Sequence, residues 1–334
     1  MALTNRRFVL KERPSDIPGP EHFAIEQQPM PSLADGEILV RVLLAALSPW
    51  QGQRLKDFKN FTRPFEIGEL IDCDVLGEVM QSSDPTIAAG QRVTGRLGWQ
   101  EYAVARASSL TVVSDQFPDE HWLTALSSPG LTAYCAFDVC ARPMPGQTLV
   151  VTSAAGAVGS YAIQLGKLAG MRVIGIAGGR SKCEFVTDTL GAHICLDHRE
   201  DNLEQRLADA CPEGVHLCFD TVGGPIADAV FESLAKYASV LIVGRTVSNN
   251  SATPAIDNVN MRQLWAREAN VHCFSRYSHS DRFAFARERM SQLLANGLLK
   301  PVQNVVAGFE NTPTALGQML SGHYTGKVLV RFAN

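Results

Sequence analysis

The stretch Thr148–Ala169 reads T-L-V-V-T-S-A-A-G-A-V-G-S-Y-A-I-Q-L-G-K-L-A. It opens on a short apolar, β-branched run, Leu149–Thr152, of the kind that forms a buried strand. It closes on a helical pattern, with Tyr161, Leu165 and Leu168 recurring at spacings of three and four. Between the two stand Ala154, Ala155, Gly156, Ala157, Val158 and Gly159. This is a dinucleotide turn, Ala154-x-Gly156-x-x-Gly159, with alanine in the first glycine place. A pyrophosphate bound there must lie against backbone N–H groups at a helix N-terminus, and larger side chains would hold it away. Gly156 lets the backbone approach, and Gly159 lets the helix pack on its strand. Small residues are common in tight strand–helix turns, so the pattern takes its weight from context. A second apolar run, Arg172–Ala177, follows after one helix, as a βαβ unit requires.

Downstream the alternation continues. Strands are expected at His193–Leu196, Val215–Phe219 and Val240–Val243, and helices at Ser160–Ala169, Ser181–Leu190, Asn202–Ala210 and Pro225–Lys236. Ser127–Ala141 precedes them as a helix closed by Pro143 and Pro145. Alternation with helix-sized connections predicts an α/β fold with a doubly wound parallel sheet. Asp281–Leu299 reads as a last long amphipathic helix; its stripe of Phe283, Ala286, Met290, Leu293 and Leu294 is a packing face. Upstream the texture differs. Short β-like runs, Glu37–Leu44, Val75–Met80, Gly90–Thr94 and Tyr102–Val104, are separated by Pro and Gly, which predicts a mostly β domain. The tail, Lys327–Phe332, is a strand expected to return to that domain. The expected division is 1–126 with 300–334, and 127–299.

A chain of 334 residues with 46% hydrophobic and 19% charged residues can build two cores and is not disordered. A net charge of -4 argues against nucleic acid as a partner. No apolar run reaches membrane-spanning length. No long apolar core follows the basic residues of M-A-L-T-N-R-R-F, so no secretory signal is read and the cytoplasm is expected. The eight cysteines contain no C-x-x-C pair and read as small buried hydrophobes in a reducing compartment.

Beyond the second strand of the dinucleotide unit, an NAD site places Asp or Glu for the ribose 2′-hydroxyl. This chain has Ala177-Gly178-Gly179-Arg180, with Lys182 two further on. The two cations are either solvated charges at a helix start or a clamp for a 2′-phosphate, with Gly178 and Gly179 giving it room. The clamp implies NADPH. The end of the Val215–Phe219 strand runs into Asp220, Thr221, Val222, Gly223 and Gly224, and the next strand ends at Gly244. Strand carboxyl ends face the ligand crevice, so Thr221, Val222 and Gly244 are cofactor candidates, although a plain tight turn also explains the glycines. Arg245 faces either phosphate or solvent.

Longer segments carry a family likeness. They are E-I-L-V-R-V (37–42), I-G-E-L-I-D-C-D-V-L-G-E-V (67–79), L-G-W-Q-E-Y-A-V (97–104), G-L-T-A-Y (130–134), A-A-G-A-V-G-S (154–160), A-G-G-R-S-K-C (177–183), F-D-T-V-G-G (219–224) and G-K-V-L-V (326–330). With these the chain resembles the zinc-independent branch of the medium-chain dehydrogenase/reductase superfamily, the NADPH-dependent enone and alkenal reductases. The resemblance covers nearly the whole chain. It implies a Rossmann domain inserted into a split GroES-like substrate domain, an active site in the cleft between them, and an edge-paired homodimer. It also places His198 where relatives often carry a phosphate-contacting Tyr, and Asn250 where they carry an Asn.

The departures fall on the substrate half. The family's D-P-Y is Ser48-Pro49-Trp50 here, and Asn249 stands where a Tyr precedes the Asn. Tyr324, in H-Y-T-G-K, replaces an Asn beside the nicotinamide. Ser48, Trp50 and Asn249 are therefore substrate candidates. Tyr324, Tyr277 and His323 are candidate acids, with Tyr324 first and Tyr277 second. Zinc-dependent relatives need an early Cys, a G-H-E segment and a cysteine-rich lobe; Ser48 and Gly68-Glu69-Leu70 stand in the first two places, so no metal is assigned. The expected activity is NADPH-dependent hydride transfer to an activated C=C bond of a small molecule carrying a conjugated carbonyl. Quinone reduction, or NADPH binding without turnover, are the alternatives.

Overall fold

The computed structural model describes residues 4–57, 62–245 and 260–332. It divides into two compact units, Met1–Leu123 with Gln303–Asn334, and Thr124–Val302.

The first unit begins with β1 (Thr4–Leu10) and β2 (Phe23–Pro29), which pair antiparallel. Next come β3 (Glu37–Ala46), a one-and-a-half-turn helix α1 (Pro49–Arg54), β4 (Asp74–Ser82), β5 (Arg92–Arg96), β6 (Tyr102–Arg106) and β7 (Thr111–Val112). β3 is the axis of this unit. It pairs β4 on one side, and β6 and β15 (Lys327–Arg331) on the other, all antiparallel. Its sequence alternates for one face only as far as Val42. From Leu44 both faces are covered, because a second small cluster of Leu76, Val113, Leu123 and Leu329 packs there. That is why the strand reads as a nearly unbroken apolar run rather than as strict alternation. The main core holds Phe8, Phe65, Trp99 and Phe309, with Phe8 and Phe309 rings 4.6 Å apart. β14 (Gln303–Ala307) lies parallel to β15 and completes a seven-stranded sheet.

The second unit is a six-stranded, wholly parallel sheet. In chain order it holds α2 (Ser128–Cys140), β8 (Thr148–Val151), α3 (Gly159–Leu168), β9 (Arg172–Ala177), α4 (Arg180–Glu184), β10 (Ile194–Asp197), α5 (Leu203–Ala210), β11 (Val215–Asp220), α6 (Gly224–Glu232), β12 (Leu234–Ile242), α7 (Met261–Ala266), β13 (Asn270–Cys273) and α8 (Phe283–Ala295). The strand order is β10-β9-β8-β11-β12-β13. Each strand lies parallel to its neighbour, as the helical crossovers demand.

Local differences from the sequence expectation have plain causes. The helix expected over Pro225–Lys236 ends at Glu232, because the Ser233 carbonyl accepts from Val215 N (2.8 Å) and Leu234 pairs with Val215. The helix expected over Ser181–Leu190 is a short α turn followed by a π segment, Phe185–Thr189. The last long helix starts at Phe283 behind a 3₁₀ turn, Arg276–Arg282. Its buried stripe is Ala286 and Met290, both fully covered. β1, β2, β7, β13 and β14 are strands beyond those expected.

Candidate functional site

The strand order reverses between β8 and β11, and in such sheets the ligand crevice opens at the carboxyl ends of that pair. The dinucleotide turn lies there. Ser153, just past β8, takes a left-handed φ of 48°, uncommon for a residue with a side chain. Its carbonyl accepts from Gly156 N at 2.8 Å, which folds the turn. A Cβ on Gly159 would stand 2.3 Å from that same carbonyl oxygen, so no other residue fits at the start of α3. Ala154 occupies the first glycine place without strain because β9 carries Gly175 opposite it; a Cβ there would meet the Ala154 methyl at 2.8 Å. Ala155, Gly156, Ala157 and Val158 thus form a turn of small side chains over the first turn of α3. Ser160 N and Tyr161 N already bond the Gly156 and Val158 carbonyls (3.0 and 3.1 Å), so it is the small turn ahead of them that offers its backbone N–H groups to a pyrophosphate.

Across the reversal, Asp220 at the end of β11 is fully buried. Its Oδ1 accepts from Thr152 Oγ1 (2.7 Å), Val222 N (3.0 Å) and Gly223 N (3.2 Å). Thr152 Oγ1 in turn accepts from Thr221 N at 2.9 Å. This latch joins β8 to β11 and positions Thr221 and Val222. Gly244 lies beside the Thr221 backbone, 3.3 Å from its carbonyl to an added Cβ. The Arg245 guanidinium folds over Gly223, 3.0–3.2 Å from where a Cβ would stand.

Gly179 opens α4 with φ 98°, a conformation that L side chains rarely adopt. Its N–H donates to Asp197 Oδ1 (2.9 Å), and so does Arg199 N (3.0 Å). Burial pushes Asp197 up, but these two donors and the charges of His198 and Arg199 outweigh it and hold the carboxyl below its ordinary value. The carboxylate therefore points into its own loop and organises a basic pocket. His198 Nε2 and Arg199 Nε lie 2.8 and 3.2 Å from where a Cβ on Gly178 would stand. Burial pushes His198 down, with the Asp197 carboxylate opposing it. Lys182, half-buried, is pushed down by burial and by the Arg199 charge. These two cations beside Gly178 and Gly179 are candidates to hold a phosphate dianion. Arg180 departs from the sequence expectation. It is 90% exposed and pairs with Glu184, its Nε donating at 2.7 Å. Arg199 was missed in the sequence, because only the pairing of β10 beside β9 brings the two strand ends together.

In the first unit, Ser48 caps α1, its N–H donating to Gln51 Oε1 at 2.7 Å. Its hydroxyl is buried and accepts from Lys327 Nζ at 2.6 Å. Trp50, next along α1, has its ring flanked by the guanidinium groups of Arg96 (4.5 Å) and Arg54 (6.0 Å). Tyr324 packs its ring on the core, and its hydroxyl donates to Gln318 Oε1 at 2.5 Å. Gln318 lies on α9 (Thr312–Leu320), whose end turns directly into the Tyr324 segment. In the second unit, Tyr277 is 58% exposed, with the Arg276 guanidinium 4.8 Å over its ring. His323 is exposed. Asn249 and Asn250 lie outside the described residues.

A parallel sheet with a pyrophosphate cradle at its reversal point and a basic pocket beyond the second strand defines a dinucleotide-dependent protein. Comparison with known proteins sharpens this. Residues 6–113 match a family model described as the N-terminal domain of oxidoreductase, and residues 157–294 one described as zinc-binding dehydrogenase. The chain is 32% identical to the NADPH-dependent curcumin reductase of Escherichia coli (strain K12), over 98% of this chain and 97% of that protein. It is 26% identical to the NADP(+)-dependent 2-alkenal reductase of Nicotiana tabacum, over 98% and 97%. The crystal structure of CurA from Vibrio vulnificus in complex with NADPH superposes with a TM-score of 0.92 at 33% identity, covering 98% of this chain and 99% of that one. The chain belongs to the medium-chain dehydrogenase/reductase superfamily, in its enone and alkenal reductase branch.

The word zinc in one model's description does not fit the residues present. Ser48 faces the Lys327 ammonium, which would repel a divalent cation. Glu69, in the other candidate ligand segment, is held by Arg63 (2.7 Å) and Arg54 (3.2 Å). Among the described residues, no three His, Cys, Asp or Glu side chains are grouped to hold a metal.

Proposed function

We propose that this protein is an NADPH-dependent reductase of activated carbon–carbon double bonds, acting on α,β-unsaturated aldehydes and ketones without zinc. The observation that carries this is the near-full-length match to reductases named for curcumin and for 2-alkenals, both conjugated carbonyl compounds. The Lys182–Arg199 pocket supports the choice of NADPH. The second unit holds the cofactor and the first unit binds the substrate.

Bound NADPH supplies a hydride to the carbon β to the carbonyl, and negative charge then develops on the carbonyl oxygen. The chain's part is to bind, orient and donate. The small turn 155–158 holds the pyrophosphate, and the Asp220 latch fixes Thr221 and Val222 beside it. Tyr324 stabilises the developing oxyanion by exchanging its hydrogen bond to the neutral Gln318 amide for one to a charged oxygen, which is the stronger bond. Tyr324→Phe is therefore expected to cut enone turnover at least about tenfold, with NADPH affinity kept. Turnover equal to the parent would assign the proton to water. The substrate class itself is tested by NADPH oxidation against enals, enones and quinones, with EDTA present. Turnover of quinones alone, or of nothing, would overturn it.

The resemblance to dimeric relatives is met by an open edge. β13 ends the six-stranded sheet, and Val271 on it is 40% exposed. An unpaired strand edge is a template for another strand. We expect a second copy of this chain there, and sedimentation should give twice the 36.3 kDa chain mass. A monomer mass at micromolar concentration would exclude it.

A further inference from the structure

Cys183 on α4 and Cys195 on β10 are used by nothing described so far. Their sulfur atoms lie 2.9 Å apart, with the Cys195 S–H donating to Cys183 Sγ. The Cys195 sulfur packs beside Gly175 on the neighbouring strand, 3.5 Å from where a Cβ there would stand. Both residues are half-buried, whereas Cys73, Cys135, Cys211 and Cys218 are buried. A disulfide bond measures about 2.05 Å, so the sulfurs need to close by only about 0.9 Å.

We propose that Cys183 and Cys195 form a reversible disulfide under oxidation, and that this bond tunes the affinity for NADPH. The proposal rests on the reading that the loop Gly178–Lys182 with Arg199 receives the 2′-phosphate. The pair straddles that loop. Lys182 immediately precedes Cys183, and Asp197, whose carboxylate holds Gly179 N and Arg199 N, stands two residues beyond Cys195. Drawing α4 toward β10 moves Lys182 relative to Arg199 and loosens the grip on the phosphate between them.

The oxidant is a peroxide. Burial pushes both thiols up, but the hydrogen bond from Cys195 opposes this at Cys183, which attacks first. The Cys183 thiolate takes one peroxide oxygen, becoming a sulfenic acid, and the other oxygen leaves as water. Cys195 then attacks the sulfenic sulfur, forming the S–S bond and releasing a second water. Two thiols lose two electrons and two protons, and one peroxide becomes two waters. A dithiol reductant reverses the step by exchange.

The test treats the whole protein with hydrogen peroxide, blocks remaining thiols with N-ethylmaleimide and maps the peptides without reduction. The expected result is a cross-link between the peptides holding Cys183 and Cys195, absent in Cys195→Ser and removed by dithiothreitol. The oxidised protein should show a KM for NADPH raised about three- to tenfold, with NADH unchanged and Cys195→Ser insensitive. Two alkylated thiols, or sulfinic acid at Cys183, would overturn the disulfide. A cross-link that leaves NADPH kinetics unchanged, or alters NADH equally, would overturn the coupling. Lys182→Ala and Arg199→Ala in the reduced protein show separately whether the phosphate site itself was misplaced.

Discussion

Replacing Lys182 and Arg199 together by alanine should raise the KM for NADPH at least about a hundredfold and leave that for NADH nearly unchanged. In the proposed site each residue donates to a phosphate dianion, and a hydrogen bond to a charged group contributes roughly 1.5–3 kcal/mol. Two such bonds give at least about two factors of ten at the lower bound. NADH carries no 2′-phosphate and so does not meet this pocket. Arg180→Ala is the internal control. Its guanidinium is 90% exposed and already engaged by Glu184, an arrangement that contributes little in water. It should shift NADPH affinity barely at all. Equal losses for both cofactors in the double variant would mean that the loop had unfolded or that the phosphate sits elsewhere. His198→Ala should cost less than either cation, because burial disfavours the charged form of its imidazole.

The same residues show what could be read without coordinates. The turn 154–159 was legible because its chemistry is local: small residues, a strand before and a helix after. The doubly wound parallel sheet followed from the alternation of elements, whereas its strand order did not. The proposed phosphate clamp was only half legible. Lys182 lies in the loop where the eye looks for it, but Arg199 is brought there by the β9–β10 pairing. Arg180 was named because it is next in sequence, yet an i,i+4 partner, Glu184, takes it. The five additional strands escaped for a related reason. β13 reads N-V-H-C and is largely exposed, so no apolar alternation marks it. β2 alternates only weakly, with Ile25 43% exposed. On the substrate half, Ser48 was named by its place in a motif, whereas its buried bond to Lys327 is 279 residues away in sequence.

Asp220→Ala tests the other end of the cofactor site, and its signature should be the opposite of the Lys182/Arg199 pair. The variant leaves the Thr152 hydroxyl and the N–H groups of Val222 and Gly223 without their acceptor, at a place where Asp220 is 1% exposed. A buried donor left unsatisfied costs about 1–3 kcal/mol. With some relaxation around the smaller side chain, a loss of about 3 kcal/mol is expected for the three. For a unit of this size that lowers the melting temperature by roughly 6–12 °C. Function should fall for a geometric reason. The latch joins the ends of β8 and β11, so its loss frees both turns that meet the dinucleotide. Because in the proposed site those turns meet parts common to NADPH and NADH, both cofactors should weaken by a similar factor. Thr152→Val removes the hydroxyl's bonds to Asp220 and from Thr221 N but keeps the carboxylate and its own backbone donors, and should give a milder form of the same change. Asp220→Asn keeps an acceptor for Thr152 while presenting a donor to Gly223 N, and should fall between. Parent-like melting and parent-like affinity in Asp220→Ala would show that water replaces the carboxylate and that the latch does not hold the site.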